Sequence, residues 1–145
     1  MIANCAPLSG VMIRYPDSFS QHIYLCVMGY IILMSEAILS FDPHGGWAHG
    51  LQYPQKRKIH GVMQVVGSIL ALAGCLIKIT DGPHYYMTTN NGHKVTGWIV
   101  TILTLLSLIG GILNFKYTVK ISQSRYKNSH AYLGLLTMSM AFICL

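Results

Sequence analysis

Four long apolar stretches, three of them without a formal charge, constrain this chain more than any other feature. Between Lys58 and Lys78, and between Lys94 and Lys116, no residue is charged. None is charged from Asn128 to Leu145, and residues 20–41 are apolar apart chiefly from His22 and Glu36. A helix that crosses a membrane needs about 20 mostly apolar residues. The runs therefore predict four spans, at 20–41, 59–79, 94–115 and 128–145. Composition agrees: 52% of the 145 residues are hydrophobic and 10% are charged, where soluble domains carry about 25% charged residues. The balance excludes an ordinary cytosolic domain, a disordered tail and a nucleic-acid-binding arm. The expected fold class is an all-α membrane protein, a four-helix transmembrane bundle. It forms one domain (20–145) behind an N-terminal segment (1–19).

That segment has no basic start followed by an apolar core, so it does not read as a signal peptide. The first loop (42–58) carries Pro43, Gly45, Gly46 and Pro54, and the second (80–93) carries Asp81-Gly82-Pro83 and Asn90-Asn91-Gly92. All of these stop helices. The first and third loops hold Lys56, Arg57, Lys58, Lys116, Lys120, Arg125 and Lys127, against Arg14, Lys78 and Lys94 on the other side. That bias places the first and third loops in the cytoplasm, and the N-terminal segment and second loop on the opposite side.

Each span opens with a histidine: His22, His60, His93 and His130. Ionisable residues inside a membrane are costly and default to a functional reading. The first and third spans start on the outer side, the second and fourth on the cytoplasmic side. His22 and His93 therefore share one depth, and His60 and His130 the other. Followed at helical spacing, His60 heads a face of Gln64, Gly67, Ala71, Gly74 and Lys78. His93 heads Gly97, Val100, Thr104, Ser107 and Gly111, and His130 heads Gly134, Thr137 and Ala141. In the first span the face runs His22, Cys26, Gly29, Leu33 and Glu36. Two facing imidazoles on one metal are the arrangement of a six-coordinate b-type haem, and small residues leave room for its ring. Small residues also line ordinary membrane helix contacts. A metal or proton transporter, with the histidines as its path, is the competing reading.

The residues around these histidines resemble the cytochrome b561 family. Gln21-His22 and the ending Leu33-Met34-Ser35-Glu36-Ala37-Ile38-Leu39 are similar to its second helix. Lys56-Arg57-Lys58-Ile59-His60-Gly61-Val62-Met63-Gln64 resembles the start of its third helix. Gly92-His93-Lys94-Val95-Thr96-Gly97 and Ser129-His130-Ala131-Tyr132-Leu133-Gly134 resemble the starts of its fourth and fifth. The motifs come in order, the histidines 38, 33 and 37 residues apart. The resemblance implies two haems b, with His22 and His93 as axial iron ligands of the outer one and His60 and His130 of the cytoplasmic one. It implies an ascorbate-dependent transmembrane oxidoreductase in an endomembrane or the plasma membrane. Electrons pass from cytoplasmic ascorbate to monodehydroascorbate or ferric chelates on the other side. The family has six helices, so the sequence reads as its core without the first and last. The alternative is a haem-free membrane protein, an ion or proton carrier or a structural remnant of such a core.

Lys56, Arg57 and Lys58 are candidate contacts for the ascorbate anion, although the positive-inside bias alone accounts for cations there. His84 and Tyr85, in the second loop, match a His-aromatic pair that the family places near the outer substrate; alone, His84 reads as a solvated loop residue. No residue is singled out as catalytic. Glu36 reads as structural, His44 and His49 as solvated, and Lys78 as snorkelling to the interface. Cys5, Cys26, Cys75 and Cys144 lack metal-ligand spacing. The expected partners are the lipid bilayer and the small-molecule substrates, with no nucleic acid; a homodimer is left open.

Overall fold

The computed structural model describes residues 17–42, 47–80, 91–117 and 123–145. Among the described residues there are four helices: α1 (Ser18–Leu39), α2 (Tyr53–Thr80), α3 (Asn91–Tyr117) and α4 (Gln123–Cys144). The first three are long and apolar enough to cross a membrane. α4 is uncharged from Asn128 onward and packs along α3.

The helices outrun the apolar stretches on the side where the basic residues gather. α2 begins at Tyr53 rather than at 59. Pro54 falls in its first turn, where a missing N–H costs nothing. The Gln52 backbone N–H donates to the Gln55 side chain at 3.0 Å, half of a capping box. Lys56, Arg57 and Lys58 are therefore helical. α4 likewise begins at Gln123, so Arg125 and Lys127 belong to its first turns. At the start of α1 the Ser20 hydroxyl donates to the Asp17 carboxylate. That bond holds Asp17 below its ordinary pKa and keeps a negative charge at the positive end of the helix.

Contacts between helix ends set the directions. His22, early in α1, meets Gly74, late in α2, while His60, early in α2, meets Ala37, late in α1. Arg57 reaches Asn114 and Phe115 at the end of α3. His93 reaches Cys144 at the end of α4. The bundle is up-down-up-down, with each helix against the next and α4 against the middle of α1.

α1 and α2 touch backbone to backbone. A Cβ on Gly29 would lie 2.6 Å from the Gly67 carbonyl oxygen and 2.8 Å from the Ala71 nitrogen. Small residues permit this approach in a membrane, where packing rather than hydrophobicity holds helices together. The Gly67, Ala71 and Gly74 face of α2 thus serves a helix contact. This is the more ordinary of the two readings that its small residues allow.

The middle of α1, Val27–Met34, is wound as a π-helix. Its wider turn moves the inward face by one residue. The buried positions are Cys26, Gly29, Tyr30, Met34 and Ala37. Met34 and Ala37 thus take the places that regular spacing gives to Leu33 and Glu36, which are half-buried, and Tyr30 is buried beside Gly29. Thr104 donates to the Val100 carbonyl at 2.8 Å, so the Tyr30 hydroxyl donates to Thr104 Oγ1 at 2.9 Å. That bond joins α1 to α3 across the bundle. Outside, Val62, Ile69, Leu76, Ile102, Ile109 and Phe142 are exposed, as a bilayer-facing surface requires.

The α1–α2 contact makes a prediction. Gly29→Ala would push against the backbone of Gly67 and Ala71 and against the Ala71 Cβ, none of which can swing aside, and should lower stability by about 1–3 kcal/mol. Gly61→Ala, whose Cβ meets nothing within 4 Å, should be neutral or stabilise by up to about 1 kcal/mol. Thermal unfolding of the detergent-solubilised protein checks both. Equal stability of the two variants would contradict the packing.

Candidate functional site

The antiparallel order brings the start of each helix to the end of its neighbour. Helix ends carry carbonyls without an intrahelical partner, and Ala37 and Cys144 lie at such ends, whereas Gly74 lies further inside α2 and its carbonyl takes the imidazole as an additional donor. His22 Nδ1 lies 2.9 Å from the Gly74 carbonyl, His60 Nδ1 2.9 Å from that of Ala37, and His93 Nδ1 2.9 Å from that of Cys144. A carbonyl only accepts, so in each bond Nδ1 carries the hydrogen. This fixes the tautomer and leaves Nε2 with a bare lone pair, the state in which imidazole binds a metal.

The four rings form two pairs. His22 and His93 face each other with ring centres 6.3 Å apart and planes at 88°. His60 and His130 do so at 6.4 Å and 90°. Both pairs lie on diagonals of the bundle, α1 with α3 and α2 with α4. Two imidazoles bound head-on to one metal have ring centres about 6 Å apart, from a bond of about 2 Å on each side plus about 1 Å from nitrogen to ring centre. Each pair is spaced for one ion. Among the described residues, no three His, Cys, Asp or Glu side chains gather to hold a metal. A metal held here by two imidazoles would take its other ligands from a cofactor.

The surroundings of the two pairs differ. Beside the first, Cys26 Sγ lies 3.7 Å from His22 Nδ1 and Cys144 Sγ 3.6 Å from His93 Nδ1. Beside the second, the Phe41 ring centre is 5.0 Å from that of His60. Among the described residues, the buried Nδ1 of His130 has no hydrogen-bond partner. Cys26 is legible in the sequence as the residue four after His22 on one helical face. The Cys144 contact and the isolation of His130 depend on tertiary packing alone.

The other predicted residues separate. Arg57 donates to the carbonyls of Asn114 and Phe115, each at 3.2 Å, and its guanidinium carbon sits 4.9 Å from the Phe115 ring centre. It ties α2 to the end of α3, a role the charge pattern does not announce. Lys58 is exposed and Lys56 half-buried, on the helical turn before His60. His84 and Tyr85 lie outside the described residues, as does His44, while His49 is exposed. Lys78 Nζ lies 5.8 Å from the Phe19 ring centre, near the end that holds His22.

The chain is similar to a human protein named transmembrane reductase CYB561D2. The two are 27% identical over 123 residues, 81% of this chain and 54% of that protein. The chain thus spans about half the length of that relative. No solved structure matches it. The profile of the eukaryotic cytochrome b561 proteins covers residues 21–145, a range that takes in all four paired histidines and the helices that carry them. This membrane protein therefore belongs to the cytochrome b561 family.

Proposed function

We propose that this chain is a membrane oxidoreductase that holds two haems b, one at each histidine pair, and moves single electrons across the bilayer. The observation that carries the reading is the spacing of the pairs, 6.3 and 6.4 Å between perpendicular rings. Those values suit one iron between two Nε2 atoms. Iron held by two imidazoles supplies a one-electron couple with no open coordination position, which suits electron transfer rather than oxygen binding. The protein's part is to hold and orient. The carbonyls of Gly74, Ala37 and Cys144 fix three of the rings, and a donated Nδ1–H raises the basicity of the Nε2 opposite. The Tyr30–Thr104 bond closes the bundle between the two pairs without introducing a charge.

The proposed orientation follows the basic residues and puts His60 and His130 at the cytoplasmic end. Ascorbate is an anion near neutral pH. Lys56 and Lys58 would draw it to that end, while Arg57 holds the helices between which it arrives. The segment joining α2 to α3 starts and finishes at the opposite end. His84 and Tyr85 within it are the proposed contacts for monodehydroascorbate or a ferric chelate.

A reduced-minus-oxidised visible spectrum of the detergent-purified protein, with haem counted per chain, tests the reading. It should show a b-type signal, two haems and reduction by ascorbate. A folded helical protein with no haem would overturn it. His60→Ala should remove one haem and leave the other, and retention of both would contradict the pairing. The ascorbate site makes a separate prediction. A Lys56→Glu/Lys58→Glu variant should need several-fold more ascorbate for half-maximal reduction rate at low salt. That gap should shrink toward 1 M salt, where the screening length falls to about 3 Å.

A further inference from the structure

Three of the four imidazoles are anchored by a carbonyl of the neighbouring antiparallel helix. His130 is not: its Nδ1 has no acceptor among the described residues. The corresponding neighbour is the end of α3, where the Asn114 and Phe115 carbonyls receive Arg57. Yet the His130 ring stands to His60 as His22 stands to His93, perpendicular and at nearly the same distance. Something other than a hydrogen bond sets its place.

That something is bare backbone. A Cβ on Gly111 would lie 3.1 Å from His130 Cε1, 3.7 Å from Nε2 and 3.9 Å from Nδ1. A Cβ on the adjacent Gly110 would come no nearer than 3.8 Å, to Nδ1. The ring therefore rests against α3 at Gly111, with ordinary clearance at Gly110. Two successive glycines weaken a helix, and here the second admits an aromatic ring against the helix surface. A side chain at 111 would push the imidazole off α3. His60 faces it from the other side, itself fixed by Ala37 and flanked by Phe41, so such a push would disturb the spacing of the pair.

We propose that Gly111 is the positioning residue for His130: it sets the imidazole by shape, where a carbonyl sets the other three. The inference rests on the reading of the pairs as haem ligands. It predicts opposite outcomes for two neighbouring glycines that are alike in helix propensity.

The experiment uses the full chain in detergent, as wild type, Gly110→Ala, Gly111→Ala and Gly111→Val. Its readouts are haem per chain, the visible spectrum and the ferric paramagnetic-resonance signals, which follow the relative orientation of the axial imidazoles. Gly110→Ala should keep two haems and both wild-type signals. Gly111→Ala should keep two haems and shift one signal. Gly111→Val should fall from two haems to one, with the His22–His93 signal unchanged as an internal check on folding. A Gly111→Val protein with two haems and unmoved signals would overturn this inference alone. So would loss of both haems together in that variant. A wild-type protein without haem would overturn the ligand reading and this inference with it.

Discussion

The structure depends on hydrogen bonds from imidazole to backbone carbonyls of an adjacent helix. Inside a bilayer no water is at hand to satisfy a buried N–H, so for the half-buried His22 and His60 the protein must supply the acceptor. A helix interior has few to give, because each carbonyl already receives the N–H four residues on. A helix end has several. A histidine early in one helix of an antiparallel pair lies beside the end of the other, so His60 finds Ala37 and His93 finds Cys144. One arrangement satisfies the histidine, caps the neighbour and fixes which ring nitrogen is bare. Helix register and site chemistry are thereby the same constraint. Sliding α2 along α1 by a turn would part His60 from Ala37, His22 from Gly74 and Gly29 from Gly67 together.

The two ends satisfy that constraint unequally. At the His22–His93 end both imidazoles donate to carbonyls, and both Nδ1 atoms have a thiol nearby. At the other end His60 donates to Ala37, the Asn114 and Phe115 carbonyls receive Arg57, and His130 Nδ1 has no partner among the described residues. A guanidinium suits that position. It brings a full positive charge to the negative end of a helix dipole and two donors at once. The end richest in cations is thus the one where a guanidinium ties two helices and one imidazole is left without a carbonyl.

The sequence shows the outline of this arrangement and misses its fine registration, for physical reasons. Charge-free runs reveal the spans because a bilayer tolerates little else, and the depth of His22, His60, His93 and His130 follows from which side each span starts. The inward face of α1 is not legible in the same way. A spacing of 3.6 residues selects Leu33 and Glu36, but the π-helical winding at Val27–Met34 brings Tyr30, Met34 and Ala37 inward. Nothing in a hydrophobic pattern marks that change of pitch. The small residues of α2 are ambiguous for another reason. Gly67 and Ala71 would suit a flat cofactor as well as a helix backbone, and only the packing of Gly29 between them decides. Arg57 is invisible as a tether because its neighbours Lys56 and Lys58 carry the same charge, and only the position of α3 distinguishes it.

The polar groups between the two pairs also bear on what could cross. A path for ions or protons needs side chains that exchange partners along its length. The buried polar side chains of the described residues are hydroxyls: Ser20, Ser40, Ser68, Thr104, Ser107 and Thr137. The two threonines are committed to their own helices. Thr104 donates to Val100 and Thr137 to Leu133, and Thr104 in turn receives Tyr30. Cys26, Met34, Ala71, Val100, Met138 and Ala141 fill the rest of that layer with apolar contact. Desolvating an ion in such a layer is expensive, whereas an electron needs no coordinating groups along its way. On the proposed reading, the apolar middle between the paired imidazoles suits the passage of electrons better than that of ions.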